Sequence, residues 1–300
     1  KSPNPETPEG FYLAVDLAKE GGSDLILGTD PDSDRVGVMV RGADGEYHTI
    51  TGNQMGVLLL DYIITARRRK GTLPENAAAI STIVTSKMVR RISDVNDIHF
   101  DETFTGFKFM AEKLAEYQRD GSYQYVLAFE ESYGYMMGDY VRDKDAVTAC
   151  VMITEMAAYY FEQGMTLAQA LDALYEKYGF YGERTLNLVM PGLDGLEKMR
   201  ALMAQLRREP LQEIAGTKVV RMRDYQDGSV YVMGLGKMDK PPISGSNVLY
   251  FELDDGCSFI VRPSGTEPKI KVYILGVGAT RAECDERVQR YAQFAETLRG

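Results

Sequence analysis

The 300-residue sequence contains no tryptophan, only three cysteines and only two histidines. Cys150, Cys257 and Cys284 are too widely spaced for a CxxC metal site, and any single pairing leaves one over. No disulfide framework is legible, and a reducing, cytoplasmic setting is expected. His48 and His99 alone give almost no material for a histidine-rich metal centre or a Ser/His/Asp triad. Long apolar runs are also missing: residues 55–60 and 62–64 are separated by Asp61 and fall far short of a bilayer span. Positive charge is in deficit, with 34 Lys and Arg against 44 Asp and Glu for a net charge of −10. The surface as a whole therefore repels polyanions, and neither nucleic acid nor a membrane is an expected partner.

What is present is ordinary for a globular protein: 44% hydrophobic and 26% charged residues, with 19 Tyr and 11 Phe carrying the aromatic content. This length suits two or three domains. The start, residues 1–8 (KSPNPETP), is polar, Pro-rich and lacks an initiator Met. It has the character of a linker, and the chain is expected to be a piece of something longer.

Periodicity predicts helices over 11–20, 52–69, 107–119, 143–161, 167–178, 195–208 and 281–298. Strands are predicted over 25–27, 36–40, 76–84, 98–101, 123–129, 183–190, 218–221, 248–253, 257–261 and 270–275, and the Pro-Pro stretch 237–246 as a loop. Alternating strands and helices up to about residue 180 imply an α/β fold with a parallel or mixed sheet, whereas the remainder has the pattern of an α+β unit. The expected domains are 1–48, 49–180 and 181–300.

Four segments carry chemistry. In Gly28-Thr29-Asp30-Pro31-Asp32-Ser33-Asp34-Arg35, carboxylates at i, i+2 and i+4 between two apolar strands converge as hard oxygen donors suited to Mg²⁺. An EF-hand fails here, because its sixth and twelfth positions are Arg35 and Arg41 rather than Gly and Glu. A haloacid-dehalogenase-type DxDx[TV] frame survives only from Asp32, without the apolar strand that should precede it. In Arg262-Pro263-Ser264-Gly265-Thr266-Glu267-Pro268-Lys269, hydroxyls, a glycine and the bracketing cations Arg262 and Lys269 form a phosphate cradle in a chain of net negative charge. Glu130 and Ser132, in Phe129-Glu130-Glu131-Ser132-Tyr133-Gly134-Tyr135, follow an apolar strand and, two apart, have either the spacing to hydrogen-bond adjacent sugar hydroxyls or, the commoner case for such a segment alone, the character of a polar loop rim. Lys108, in Thr105-Gly106-Phe107-Lys108-Phe109, stands at a helix start, where the dipole disfavours a cation.

The order of these segments resembles the α-D-phosphohexomutase superfamily, in the branch of phosphoglucomutases and phosphomannomutases whose sugar loop reads FEESYGY. The resemblance implies that Asp30, Asp32 and Asp34 ligate Mg²⁺ and that Arg35 lies beside the reacting phosphoryl group. Lys108 becomes an acid/base or phosphate contact, Glu130 and Ser132 bind sugar hydroxyls, and Arg262, Ser264, Gly265 and Thr266 hold the phosphate that is not reacting. It further implies the end of one α/β domain, a complete three-layer α/β domain and a C-terminal TATA-binding-protein-like α+β domain. The expected substrate is a hexose phosphate, with a sugar bisphosphate activator such as glucose 1,6-bisphosphate. The family's Ser-His-Asn-Pro loop, whose serine is phosphorylated, has no counterpart in these 300 residues. The missing N-terminal domains of the same polypeptide are expected to supply it, leaving the present chain inactive alone. Two alternatives stand: a non-catalytic sugar-phosphate-binding module, and a haloacid-dehalogenase-type phosphatase using Asp32 as nucleophile.

Overall fold

The computed structural model describes residues 4–190, 192, 194–239, 243–265 and 267–299, with only the backbone described for 237–239. The chain divides into two compact units, Lys1–Tyr178 and Gly179–Gly300.

In the first unit a 3-10 turn over Pro8–Phe11 leads into helix α1 (Tyr12–Gly21). Gly22, left-handed at φ 68°, ends it by donating its N–H to the Ala18 carbonyl. Strands β1 (Leu25–Thr29), β2 (Val36–Arg41) and β3 (Tyr47–Ile50) form an antiparallel sheet in that order. Phe11 and Ala18 pack on its Ile26, Met39 and Tyr47. The strand β3 is absent from the sequence reading, because its four residues carry no period of their own and are organised by pairing with β2.

Helix α2 (Gly52–Arg69) opens with a reciprocal capping box, in which Thr51 Oγ1 accepts from Gln54 N–H and Gln54 Oε1 accepts from Thr51 N–H. Three arginines close it, matching the dipole. Then follow β4 (Ala77–Thr82), α3 (Met88–Val95), β5 (His99–Thr103), α4 (Phe107–Asp120), β6 (Gln124–Phe129), β7 (Tyr135–Met136), α5 (Ala146–Phe161) and α6 (Leu167–Tyr178). The sheet order is β5-β4-β6-β7, parallel except for β7. Ala78, Ile80 and Ala128 face α4, while Phe129 on the other face meets α2, giving three layers. The helix α5 begins at Ala146 rather than 143, because Asp145 caps it by accepting from Val147 and Thr148 N–H.

The second unit runs β8 (Phe180–Val189), α7 (Gly195–Arg208), β9 (Glu213–Ile214), β10 (Thr217–Asp224), β11 (Ser229–Val232), β12 (Gly236–Asp239), β13 (Leu249–Leu253), β14 (Ser258–Pro263), β15 (Lys269–Gly278) and α8 (Arg281–Glu296). Its antiparallel sheet has the order β12-β11-β10-β13-β14-β15-β8, with β9 on β10. Alternate residues of the central strands (Leu249 and Phe251, Phe259 and Val261, Val272 and Ile274) face one core with Met199 and Met203 of α7 and Tyr291 and Ala295 of α8. Both helices therefore cover one face, as in an α+β fold. The expected loop over 237–246 is corrected at its start, where backbone pairing with β11 makes Gly236–Asp239 a strand. Among the described residues, no helix is long and apolar enough to cross a membrane.

Candidate functional site

The acidic loop joins β1 to β2 and folds around Asp30. This buried carboxylate accepts from Asp34 N–H and Arg35 N–H at 3.2 Å through Oδ1, and from Arg35 Nε at 2.8 Å through Oδ2. The backbone closes the same turn, with Ser33 at φ 56° donating its N–H to the Asp30 carbonyl. Asp30, Asp32 and Asp34 each offer a carboxylate oxygen, all within 4.8 Å of one another. Asp34 Oδ1 is buried without a hydrogen-bond partner. Burial pushes the Asp30 carboxyl up, but the Arg35 backbone N–H and guanidinium more than offset this and hold it below the usual carboxylate range. Asp34 ends above that range, because burial and the neighbouring Asp30 outweigh the pull of Lys144. Crowded hard oxygens, one of them buried with no hydrogen bond and only the Arg35 guanidinium at 3.8 Å, have the donor set and charge of a divalent-cation site.

The residues that follow β6 form the second loop, and hydrogen bonds tie it to the first. Val36 N–H donates to the Tyr133 carbonyl at 3.1 Å, and Arg35 and Gly134 form an antiparallel bridge. Tyr133 takes the left-handed conformation, φ 69°, as Glu130 N–H closes the turn on the Gly134 carbonyl. The side chain of Glu130, expected to contact sugar, is buried and already engaged: Oε1 accepts from Gly106 N–H at 2.5 Å and Oε2 from the Ser132 hydroxyl at 3.3 Å. Glu130 thus also fixes Gly106, the residue that opens α4. Two positions later Lys108 is exposed, its Nζ 4.6 Å from the Phe109 ring centre. The structure therefore brings Asp30, Asp32, Asp34, Arg35, Glu130, Ser132 and the Lys108 helix start to one end of the first unit, with the loops after β5 and β6 both at the carboxyl ends of parallel strands. Ligands of open α/β sheets bind at that end.

One residue of this cluster was missed by sequence reasoning. The ammonium of Lys144 lies 3.1 Å from Asp34 Oδ2 and 4.9 Å from the Phe107 ring centre. Its signal was a cation between Asp143 and Asp145 immediately before a capped helix.

In the second unit the predicted cradle is the loop between β14 and β15. Ser264 N–H donates to the Lys269 carbonyl at 2.9 Å, Glu267 N–H to Ser264 Oγ at 3.2 Å, and Lys269 N–H to the Glu267 carbonyl at 2.8 Å. Glu267 and Lys269 also form an ion pair, which uses part of the positive charge the sequence promised. Gly265 is exposed, and no atom lies within 4 Å of where a Cβ would stand, so its backbone is open to a ligand. Arg262 sits on β14 opposite Lys271 of β15, two cations on neighbouring strands. Thr266 lies outside the described residues.

Three family models match the chain in succession: phosphoglucomutase/phosphomannomutase alpha/beta/alpha domain II over residues 1–45, alpha/beta/alpha domain III over 51–178, and the C-terminal domain over 187–293. A phosphoglucomutase of Staphylococcus aureus strain N315 is 37% identical over 275 residues, covering 91% of this chain and 48% of that protein. The chain thus spans about half the length of the curated relatives it matches. Among solved structures, the open form of the Paramecium phosphoglucomutase pp63/parafusin superposes with TM-score 0.64 at 16% identity, over 98% of this chain and 50% of that one. The Aspergillus fumigatus N-acetylphosphoglucosamine mutase, in complex with GlcNAc-6P and magnesium, superposes with TM-score 0.50 at 13% identity, over 95% and 53%. These two likenesses bear on the fold, whereas the sequence matches run through three successive domains, and on them the chain belongs to the α-D-phosphohexomutase superfamily.

Proposed function

We propose that the protein of which this chain forms part interconverts hexose 1-phosphate and hexose 6-phosphate, passing a phosphoryl group between substrate and a phosphoserine by way of a sugar bisphosphate. The observation that carries this reading is the hydrogen-bonded union of the acidic loop with the loop of Glu130 and Ser132. Such a union holds a cation site and a hydroxyl-binding site in fixed register, as transfer to a sugar hydroxyl requires.

Asp30, Asp32 and Asp34 are the residues that would hold Mg²⁺, a fit supported by their oxygen donors and by Asp34 Oδ1, which is buried without a hydrogen bond. Magnesium in the Aspergillus relative supports the same choice. A divalent cation bound there neutralises negative charge on the phosphoryl group. Arg35, fixed by Asp30 and Glu6, turns a guanidinium toward the same region as a second positive group. Ser132 orients the sugar through its hydroxyls, and Glu130, whose two oxygens already accept from Gly106 N–H and the Ser132 hydroxyl, joins it through the lone pairs those bonds leave. Lys108 holds or moves a proton at the reacting hydroxyl, or contacts phosphate there. Arg262, Ser264, Gly265, Thr266 and Lys269 hold the phosphate that is not reacting. A sugar reader and a phosphate reader on different domains suit a bisphosphate that must turn round, because each reader then accepts two poses. The donor serine belongs, in this proposal, to another part of the same polypeptide, and glucose 1,6-bisphosphate is the expected activator.

A coupled assay converting glucose 1-phosphate to glucose 6-phosphate tests this. The full-length protein is expected to turn over in Mg²⁺, Asp32→Asn to lose at least a hundredfold in kcat, and the 300-residue chain alone to give no product. Turnover by the chain alone that disappears in its own Asp32→Asn variant, which excludes a contaminant, would overturn the assignment.

A further inference from the structure

Lys144 is held with unusual completeness for a lysine at the surface of a loop. Its ammonium contacts Asp34 Oδ2 at 3.1 Å and Asp143 Oδ1 at 3.2 Å and stands over the Phe107 ring, with the side chain only 19% exposed. Its carbon stem lies across Gly134, where a Cβ would come within 2.2 Å of Lys144 Cδ. The flanking backbone is pinned as well, since Asp145 N–H donates to the Tyr135 carbonyl and Ala146 N–H to the Ser33 carbonyl, both at 3.0 Å. Ordering a lysine to this degree costs rotamer entropy and hydration that an isolated surface ion pair does not offset.

Charge placement supplies the reason. Three carboxylates share the acidic loop, and two cations face them: Arg35 on Asp30, on Glu6 and, at 3.8 Å, on Asp34 Oδ1, and Lys144 on Asp34 Oδ2 and Asp143. Lys144 occupies one oxygen of Asp34 and leaves the other, Oδ1, buried without a hydrogen bond, with only the Arg35 guanidinium near it at 3.8 Å. We propose that Lys144 is a tethered counter-charge: it offsets the repulsion within the triad while no metal is bound, aims Asp34 Oδ1 at the site, and weakens divalent-cation binding so that the metal exchanges readily. The proposal rests on the reading of the triad as a Mg²⁺ site. Even at the dielectric of water, a unit positive charge one carboxylate away from a divalent ion weakens its binding about tenfold. Aim is the lesser effect. The acidic loop keeps its shape through the Asp30–Arg35 contacts and the Val36 to Tyr133 hydrogen bond without help from Lys144.

The test is titration calorimetry with MgCl₂, alongside thermal melts with and without the metal. Lys144→Met keeps the stem over Gly134 and removes the charge. It is expected to bind Mg²⁺ about tenfold more tightly than the wild type, to melt lower without metal, and to close that gap as Mg²⁺ saturates. Lys144→Arg is expected to retain wild-type affinity. A merely structural lysine gives the opposite sign, with weaker or unchanged affinity in Lys144→Met, and that result overturns the proposal while leaving the metal site standing. If the wild type takes up no Mg²⁺ saturably, or if Asp32→Asn binds as well as the wild type, the metal reading itself fails and the counter-charge with it. Should Lys144→Met not fold, Lys144→Gln is read in the same titration against the same outcomes.

Discussion

Asp30 shows how a residue chosen for one property is constrained by another. The sequence predicts its carboxylate as a metal ligand, yet in the structure it also organises the loop, accepting two backbone N–H groups and the Arg35 guanidinium. Replacing it leaves those donors and a partly buried cation without their partner. Asp30→Ala is expected to cost about 2–4 kcal/mol in urea denaturation, in addition to its effect on metal uptake. Asp101 of β5 gives the acid dependence. Burial would raise its carboxyl, but the Tyr117 hydroxyl at 2.6 Å, with Lys113 and His99, brings it below its ordinary 3.8. A carboxylate depressed on folding contributes stability above its unfolded pKa and loses it as pH falls through the folded value. Stability should therefore decline below about pH 4, and Asp101→Asn should make the acid limb of the pH–stability curve shallower.

At the scale of elements, legibility followed length and capping. The helices over 52–69, 167–178 and 195–208 stand where periodicity puts them, because their apolar stripes and terminal residues act locally. Residues 88–95, 47–50, 135–136, 213–214, 229–232 and 236–239 form elements that periodicity did not reveal. They are short, and partners elsewhere in the chain decide their conformation. Packing between elements also reaches the site. Gly56 of α2 lies against Phe129 of β6, the residue before Glu130, and a Cβ there would come within 2.0 Å of the ring. Gly56→Ala is expected to cost about 1–3 kcal/mol by overpacking. It should also displace the Glu130 loop, read as a loss of hexose phosphate affinity larger than the loss of Mg²⁺ affinity.

At the scale of the whole molecule, the candidate ligands divide between two units. The acidic triad and the Glu130 loop belong to Lys1–Tyr178, and the phosphate cradle belongs to Gly179–Gly300. A ligand that binds only the folded form of one unit raises that unit's melting point. Calorimetric scans are expected to show two transitions, one raised by Mg²⁺ and the other by inorganic phosphate. A single transition raised by both would show the units unfolding together. The four motifs and the change from α/β to α+β were legible in sequence because loop chemistry and apolar periodicity are local properties. The tertiary structure alone decided that Val36 bonds to Tyr133, that Glu130 reaches Gly106, and that Lys144 returns to Asp34. Those contacts join residues about 24 to 110 positions apart, and their geometry is set by how the sheets and helices pack. The net charge of −10 and the scarcity of histidine and cysteine still bound what the chain does. Which of its cations stand beside which carboxylates was fixed only when the loops closed on one another.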